Sequence, residues 1–244
     1  DLSSSEIILE KIMNMPNINK NDLAECKLVY ADVMLLSGNV WSSLLYYSQV
    51  EKENKESPIG HEAKLRKAKI SYYQGDFNWA QSQLDVLKSS TSKLISNDAM
   101  DLSLLISDNL NLDTTSVPME IYARADLLFY QNKLEESLNT LDSICELYSN
   151  HELLDEVYFR KYQIYYKKGE IDKAIESLEV IISHYSHDIL KDDALFQLAR
   201  IYENKKRDIE LASNYYETIL LECSGSIFIT ESRKKYRQLR GDKL

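Results

Sequence analysis

Small side chains recur along this chain at two positions and at a near-constant interval. The first position holds Ala31, Ala68, Ala125 and Ala199, with Tyr162 in the fourth place, and its steps are 37, 57, 37 and 37 residues. The second holds Ser43, Ala80, Ser137, Ala174 and Ala212, with steps of 37, 57, 37 and 38. A period near 37 accommodates two helices of about fourteen residues joined by short turns. Where two such helices cross most closely, axes about 8–10 Å apart leave room only for a small side chain. The pattern therefore predicts stacked helix pairs, with tighter constraint at the alanines and serines than at Tyr162.

Composition agrees with that reading. Glycine and proline number 6 and 3 in 244 residues, too few for the many turns of a β-sandwich or the phosphate loops of an α/β enzyme. Hydrophobic residues at 44% and charged residues at 28% describe a folded chain. No apolar run reaches the roughly 18 residues of a membrane-spanning helix. The formal charge of −10 argues against nucleic acid as a partner, because phosphates demand a basic face. Between each pair's helices lie Gly38, Gly75 and Gly169, with Asn132 as the usual substitute for a left-handed cap. Lys206 occupies that place in the fifth unit, which also carries an extra residue, so its turn is expected to differ.

The boundaries that follow are a single domain over 1–244. Residues 1–22 read as the end of a preceding repeat, with Ile7, Ile8, Ile12 and Met15 giving a helix over 5–15 and suggesting that the natural protein continues upstream. Repeats occupy 23–56, 57–90, 118–150, 151–187 and 188–225. The 57-residue step places an insertion at 91–117, for which the spacing predicts a helix from an Asn97 cap to Ser107. The polar stretch 108–117 after it reads either as a partner-contact loop or as a tolerated insertion. Residues 226–244 read as a capping helix whose stripe is Phe228, Tyr236 and Leu239. Its cations Arg233, Lys234, Lys235, Arg237, Arg240 and Lys243 form a basic tail, either a solvated cap or a dock for acidic protein or anionic lipid at a membrane periphery.

The repeat resembles the tetratricopeptide repeat (TPR) over about Leu23 to Gly225. The motif reads as Ala199, Tyr202, Ala212, Tyr216 and Ile219 in the last unit, and as Tyr162, Tyr165, Ala174, Leu178 and Ile181 in the one before. Ser186 and Ser224 replace the family's terminal proline. Residues 60–109 and 225–242 look like segments of TPR proteins of Bacteroidota, and the ending is similar in style to lipoproteins of outer-membrane assembly. The resemblance implies an all-α, right-handed TPR-like solenoid of about five helical hairpins, with an inserted helix and a C-terminal cap, acting as a non-catalytic scaffold. It also implies that first helices line a concave groove, whose contact positions are Lys69, Tyr72, Tyr73, Tyr122, Asp126, Tyr130, Phe159, Gln163, Tyr166, Lys167, Phe196, Arg200 and Asn204, with Asp32, Leu35 and Leu36 in the first unit. Those rings bind a peptide or are covered by neighbouring helices. The family's carboxylate clamp needs Lys and Asn where this chain has Leu65/Lys69, Tyr122/Asp126 and Phe159/Gln163, so chaperone C-termini are disfavoured. The alternatives are an assembly factor of the periplasm and cell envelope and a small-peptide sensor; the cytoplasm stays open, as does oligomeric state.

Chemistry finds little support in the sequence. The six glycines are never clustered, which removes nucleotide loops, and neither His61 nor His151 begins a zinc-binding HExxH. His184 and His187 with Asp188, Asp192 and Asp193 gather ligand types at one turn but lack a third fixed ligand, and read as solvated. Cys26, Cys145 and Cys223 are too far apart for a metal site or disulfide framework and read as small buried side chains. No cofactor, metal or catalytic group is expected.

Overall fold

Several helices begin after a short polar side chain that satisfies a free amide of the helix start. Asn39, Ser57, Asp76 and Asp208 accept from the backbone N–H three residues on, and Pro58 follows Ser57 at the first helical position. A computed structural model describes residues 2–89, 92–110, 115–185 and 189–242. Those residues are all-α: α1 (Leu2–Met13), α2 (Lys20–Leu36), α3 (Val40–Glu53), α4 (Pro58–Tyr73), α5 (Phe77–Leu87), α6 (Lys93–Leu110), α7 (Val117–Tyr130), α8 (Leu134–Leu147), α9 (Leu154–Lys168), α10 (Ile171–His184), α11 (Lys191–Ile201), α12 (Ile209–Glu222) and α13 (Ile229–Arg240). The expected pairs are α2/α3, α4/α5, α7/α8, α9/α10 and α11/α12, with α6 inserted and α13 at the end.

The small-residue rule has a direct structural counterpart. Ala31, Ala68, Ala125, Ala199, Ser43, Ala80, Ser137, Ala174 and Ala212 are fully buried. In the third pair the two positions touch, since Ser137 Oγ donates to the carbonyl of Ala125 at 2.8 Å. Tyr162 lays its ring against Phe159 and Tyr166, at centroid distances of 5.4 and 6.0 Å, and is hydrogen-bonded through its hydroxyl to Gln197 Oε1 at 3.2 Å.

Turn geometry explains the irregular fifth unit. In four pairs the amide at Asn39, Asp76, Lys133 or Glu170 reaches back five residues to Met34, Ser71, Leu128 or Tyr165. The residue before each donor is left-handed: Gly38, Gly75, Asn132 and Gly169 have φ of 87°, 78°, 60° and 80°. In the fifth pair Asp208 reaches back to Tyr202, one residue further, and the excess is taken up by a π-helical turn over Tyr202–Lys206. Arg207, not Lys206, takes the left-handed place, at φ 57°.

The chain divides into two compact units, 1–140 and 141–244, the division falling within α8. In the first, Ala31, Leu35, Tyr47, Val50, Ala63 and Ile70 form one core, and α1 packs Leu9 and Met13 against Tyr30, Val33 and Met34. In the second, Leu178, Ile181, Leu198 and Ile201 pack between α9, α10 and α11, while Phe228, Tyr236 and Leu239 seat the terminal segment on Phe196 and Tyr216.

Three local expectations are corrected. The inserted helix starts at Lys93, not at Asn97, because burial of Ile95 draws the preceding turn into the helix and Ser92 Oγ accepts from Ile95 N at 3.5 Å. The first helix spans Leu2–Met13, not 5–15, because Asn17 adopts a left-handed φ of 69° just beyond it. The cysteines are partly accessible, not buried, and all three are free thiols whose pKa is raised first by burial.

Candidate functional site

One face of α4 carries Glu62, Arg66, Lys69 and Tyr73 at helical spacing, and α2 turns Asp32 and Leu35 toward it. With Tyr47 from α3 and Tyr130 from α7 these side chains line a pocket of about 230 Å³ in the first unit. Arg66 fixes it: Nη1 lies 2.7 Å from Asp32 Oδ2, and Nε lies 2.9 Å from Glu62 Oε1. Tyr47, fully buried, donates its hydroxyl to Asp32 Oδ1. Tyr73 and Tyr130 form an aromatic wall with centroids 6.5 Å apart. Gln131 closes one end by donating Nε2 to the Leu35 carbonyl at 3.0 Å.

Electrostatics follow from that packing. Burial pushes the Asp32 carboxyl above its ordinary range, while the Tyr47 hydroxyl and the Arg66 guanidinium pull it back. Tyr130 is pushed up to about 12, first by burial and then by the Asp32 charge. Tyr47 rises for the same two reasons. Burial would lower Arg66, but Asp32 and Glu62 outweigh it and hold the guanidinium charged. Lys69 leans to Asp98 of the inserted helix, at 3.5 Å.

The other sequence-derived positions divide by accessibility. Tyr72, Tyr122 and Asp126 are buried where α4 meets α7, with the Tyr72 hydroxyl 2.9 Å from Asp126 Oδ2. Phe196 is buried too, stacked on Phe228 at 4.3 Å. Neighbouring elements cover these four side chains. Tyr130 and Tyr166 remain 38% and 40% exposed. In the second unit Lys167, Arg200 and Asn204 are exposed, while Phe159 and Gln163 are half-buried. Gln163 Oε1 accepts from Arg160 Nη1 at 2.5 Å, and Asn204 turns its amide back to the Arg200 carbonyl at 2.9 Å.

The basic tail is partly neutralised. Lys235 pairs with Glu203 at 2.7 Å, and Arg240 and Arg237 lie 2.7 and 3.8 Å from Asp242. Arg233 and Lys234 are exposed, and Lys243 lies outside the described residues. His187 and Asp188 also lie outside them, along with residues 111–114 of the polar loop. Among the described residues no group of three or more His, Cys, Asp or Glu side chains is placed to hold a metal ion, and no helix is long and apolar enough to cross a membrane.

Sequence reading missed Tyr47, Glu62 and Arg66 as pocket residues. The Glu62–Arg66 spacing of four residues was the available signal. It also missed the exposed Trp41 (73%) and Trp79 (57%) on α3 and α5, which sit on the second helices of their pairs.

No family model matches this chain, and no curated protein matches it in sequence. Among solved structures it is similar to the TPR domain of P58(IPK), at 18% identity and a TM-score of 0.40, with 98% of this chain aligned. The chain spans 58% of the length of that domain.

Proposed function

We propose that this chain is a non-catalytic protein-interaction scaffold, and that partner segments dock on the faces formed by the first helices of its pairs. The observation that supports this is the pocket of the first unit, whose charged side chains are already locked by one another before any ligand arrives. A preformed site spares the partner the entropic cost of ordering it. Tyr130 and Tyr73 would supply contact area for an anchoring side chain, and Tyr166 would do so in the second unit. Lys69, Lys167 and Arg200 would set the direction of the bound segment.

Lysine cross-linking with mass spectrometry, on the protein captured from native extract, tests this reading. Links from Lys69 or Lys167 to one recurrent protein are expected. Links confined to Lys234 and Lys235 would transfer the binding role to the terminal helix.

A further inference from the structure

In the second unit, two neighbouring cations lie over aromatic rings, one across helices and one within its own helix. Lys205, on the π-helical turn, holds its ammonium 5.7 Å from the ring centroid of Tyr166 on α9. One turn earlier, Arg200 lies 6.0 Å from the ring of Phe196. Lys235 of α13 continues the row and borders an open depression of about 640 Å³ lined also by Ile227, Thr230, Glu231, Lys234 and Gln238. Two carboxylates lie within this row, Glu203 and the exposed Glu231; both oxygens of Glu203 are engaged, Oε1 by Lys235 at 2.7 Å and Oε2 by the Tyr216 hydroxyl at 2.8 Å. Glu203 and Lys235 therefore neutralise each other.

Several other carboxylates of this unit are held in the same manner. Asp142 pairs with Lys161, Glu222 with Lys191, Asp172 with Lys206, and Glu170 with Lys168 and Lys173. Lys161, Lys168 and Lys173 also rest on tyrosine rings, but each of them holds one of these carboxylates, whereas Arg200 and Lys205 are exposed over their rings. A cation over a ring keeps its charge available to a second partner, while the half-exposed Tyr166 beside it offers apolar contact.

From this row we infer that the face of α9, α11 and α13 binds an acidic segment of a partner protein, one in which carboxylates alternate with apolar side chains. The inference rests on the scaffold reading and adds the chemistry of the partner. Charge complementarity selects it: carboxylates meet Arg200 and Lys205, and the apolar residues between them meet Tyr166 and Ile227. Duplex DNA is a poorer occupant, because a useful affinity takes about 6–10 phosphate contacts. Anionic membrane is poorer as well, since lipid-binding patches gather about 4–8 unopposed cations.

The test is fluorescence anisotropy on the full chain with a labelled peptide of alternating Glu and Phe, and its Lys and Phe counterpart. The acidic peptide should bind and the basic one should not. Arg200→Glu with Lys205→Glu should weaken binding about tenfold or more. Lys52→Glu with Lys55→Glu, which changes net charge equally on the first unit, should leave it unaltered. Circular dichroism checks folding, and Arg200→Gln with Lys205→Gln supplies the milder pair if the reversal unfolds. Failure of the acidic peptide to bind, equal binding of the basic peptide, or binding that survives the reversal overturns the inference. So does tighter binding of single-stranded DNA or phosphatidylserine vesicles. If the scaffold reading itself fails, native extract yields no recurrent link at Lys69 or Lys167. If only the partner chemistry is wrong, those links persist in the charge-reversed variant.

Discussion

Gln131, which caps the end of α7, is hydrogen-bonded through its side-chain amide to the carbonyl of Leu35 on α2, at 3.0 Å across 96 residues of sequence. The ends of two first helices that are not consecutive are therefore joined, and Tyr130 beside Gln131 shares Asp32 with Tyr47 and Arg66. The first-helix face of this unit thus carries a pocket of about 230 Å³.

Arg66 holds that pocket, so its removal should be felt in stability as well as binding. Arg66→Ala leaves Asp32 and Glu62 without their shared cation, and the expected loss is about 1–3 kcal/mol, moderated because the pair is partly solvated. Tyr47→Phe removes one donor to Asp32 and should cost about 1 kcal/mol. Urea denaturation of the two variants checks both values, and an unchanged midpoint for Arg66→Ala would contradict the role assigned to it.

Alkaline pH should destabilise the fold before ordinary tyrosines would lead one to expect saturation. Tyr130, Tyr162 and Tyr215 are each pushed up to about 12, chiefly by burial. A phenol with a raised folded-state pKa stays protonated after the unfolded chain has begun to ionise near the ordinary tyrosine value of about 10. Stability is therefore fully present below about pH 10 and falls as pH rises toward about 12. Phenolate absorbance followed with circular dichroism should show the buried tyrosines ionising together with loss of helix; ionisation of all tyrosines near pH 10 with helix intact would refute this.

The π-helical turn makes a deletion tolerable at one place only. Deleting Lys206 restores the spacing found in the other units and gives up an exposed ion pair with Asp172, so stability should change by no more than about 1 kcal/mol. Deleting Lys168, in a regular unit, forces the α9–α10 register out of step and should cost more than about 3 kcal/mol. Thermal melts of the two deletions distinguish these outcomes.

Gly60 is the glycine whose replacement has the least room. A Cβ there would lie 1.9 Å from the carbonyl oxygen of Asn54, which is backbone and cannot turn away. Gly60→Ala should cost about 2 kcal/mol or more by displacing the α3–α4 turn. At Gly38 the space is open and only the left-handed φ of 87° opposes a side chain, so Gly38→Ala should cost about 1 kcal/mol. Equal losses at the two sites, measured by chemical denaturation, would contradict the steric argument.

Much of the architecture was legible because a small residue at a helix crossing leaves a periodic mark, as Ala68 and Ala125 do. The location of the extra residue was legible too, since the step from Ala174 to Ala212 is one longer than its neighbours. Its form was not: a π-turn and a widened loop have the same length in sequence, and only the Asp208–Tyr202 bond separates them. The site was half legible. Position within the repeat marked Tyr73, Tyr130 and Tyr166, but burial of Tyr72, Tyr122, Asp126 and Phe196 depends on how α7 and the segment at Phe228 fold back, which repeat position does not encode. Arg66 was missed because its importance comes from two carboxylates on two helices, and only the Glu62 partner lies near it in sequence.

The central claim is tested most directly by placing a photo-reactive amino acid in turn at Tyr130, Tyr166, Trp41 and Trp79 and irradiating each variant in native extract. Capture of the same recurrent protein from Tyr130 or Tyr166, and not from the two tryptophan positions, is the predicted result. Capture from Trp41 and Trp79 alone would place binding on the second helices and contradict the account.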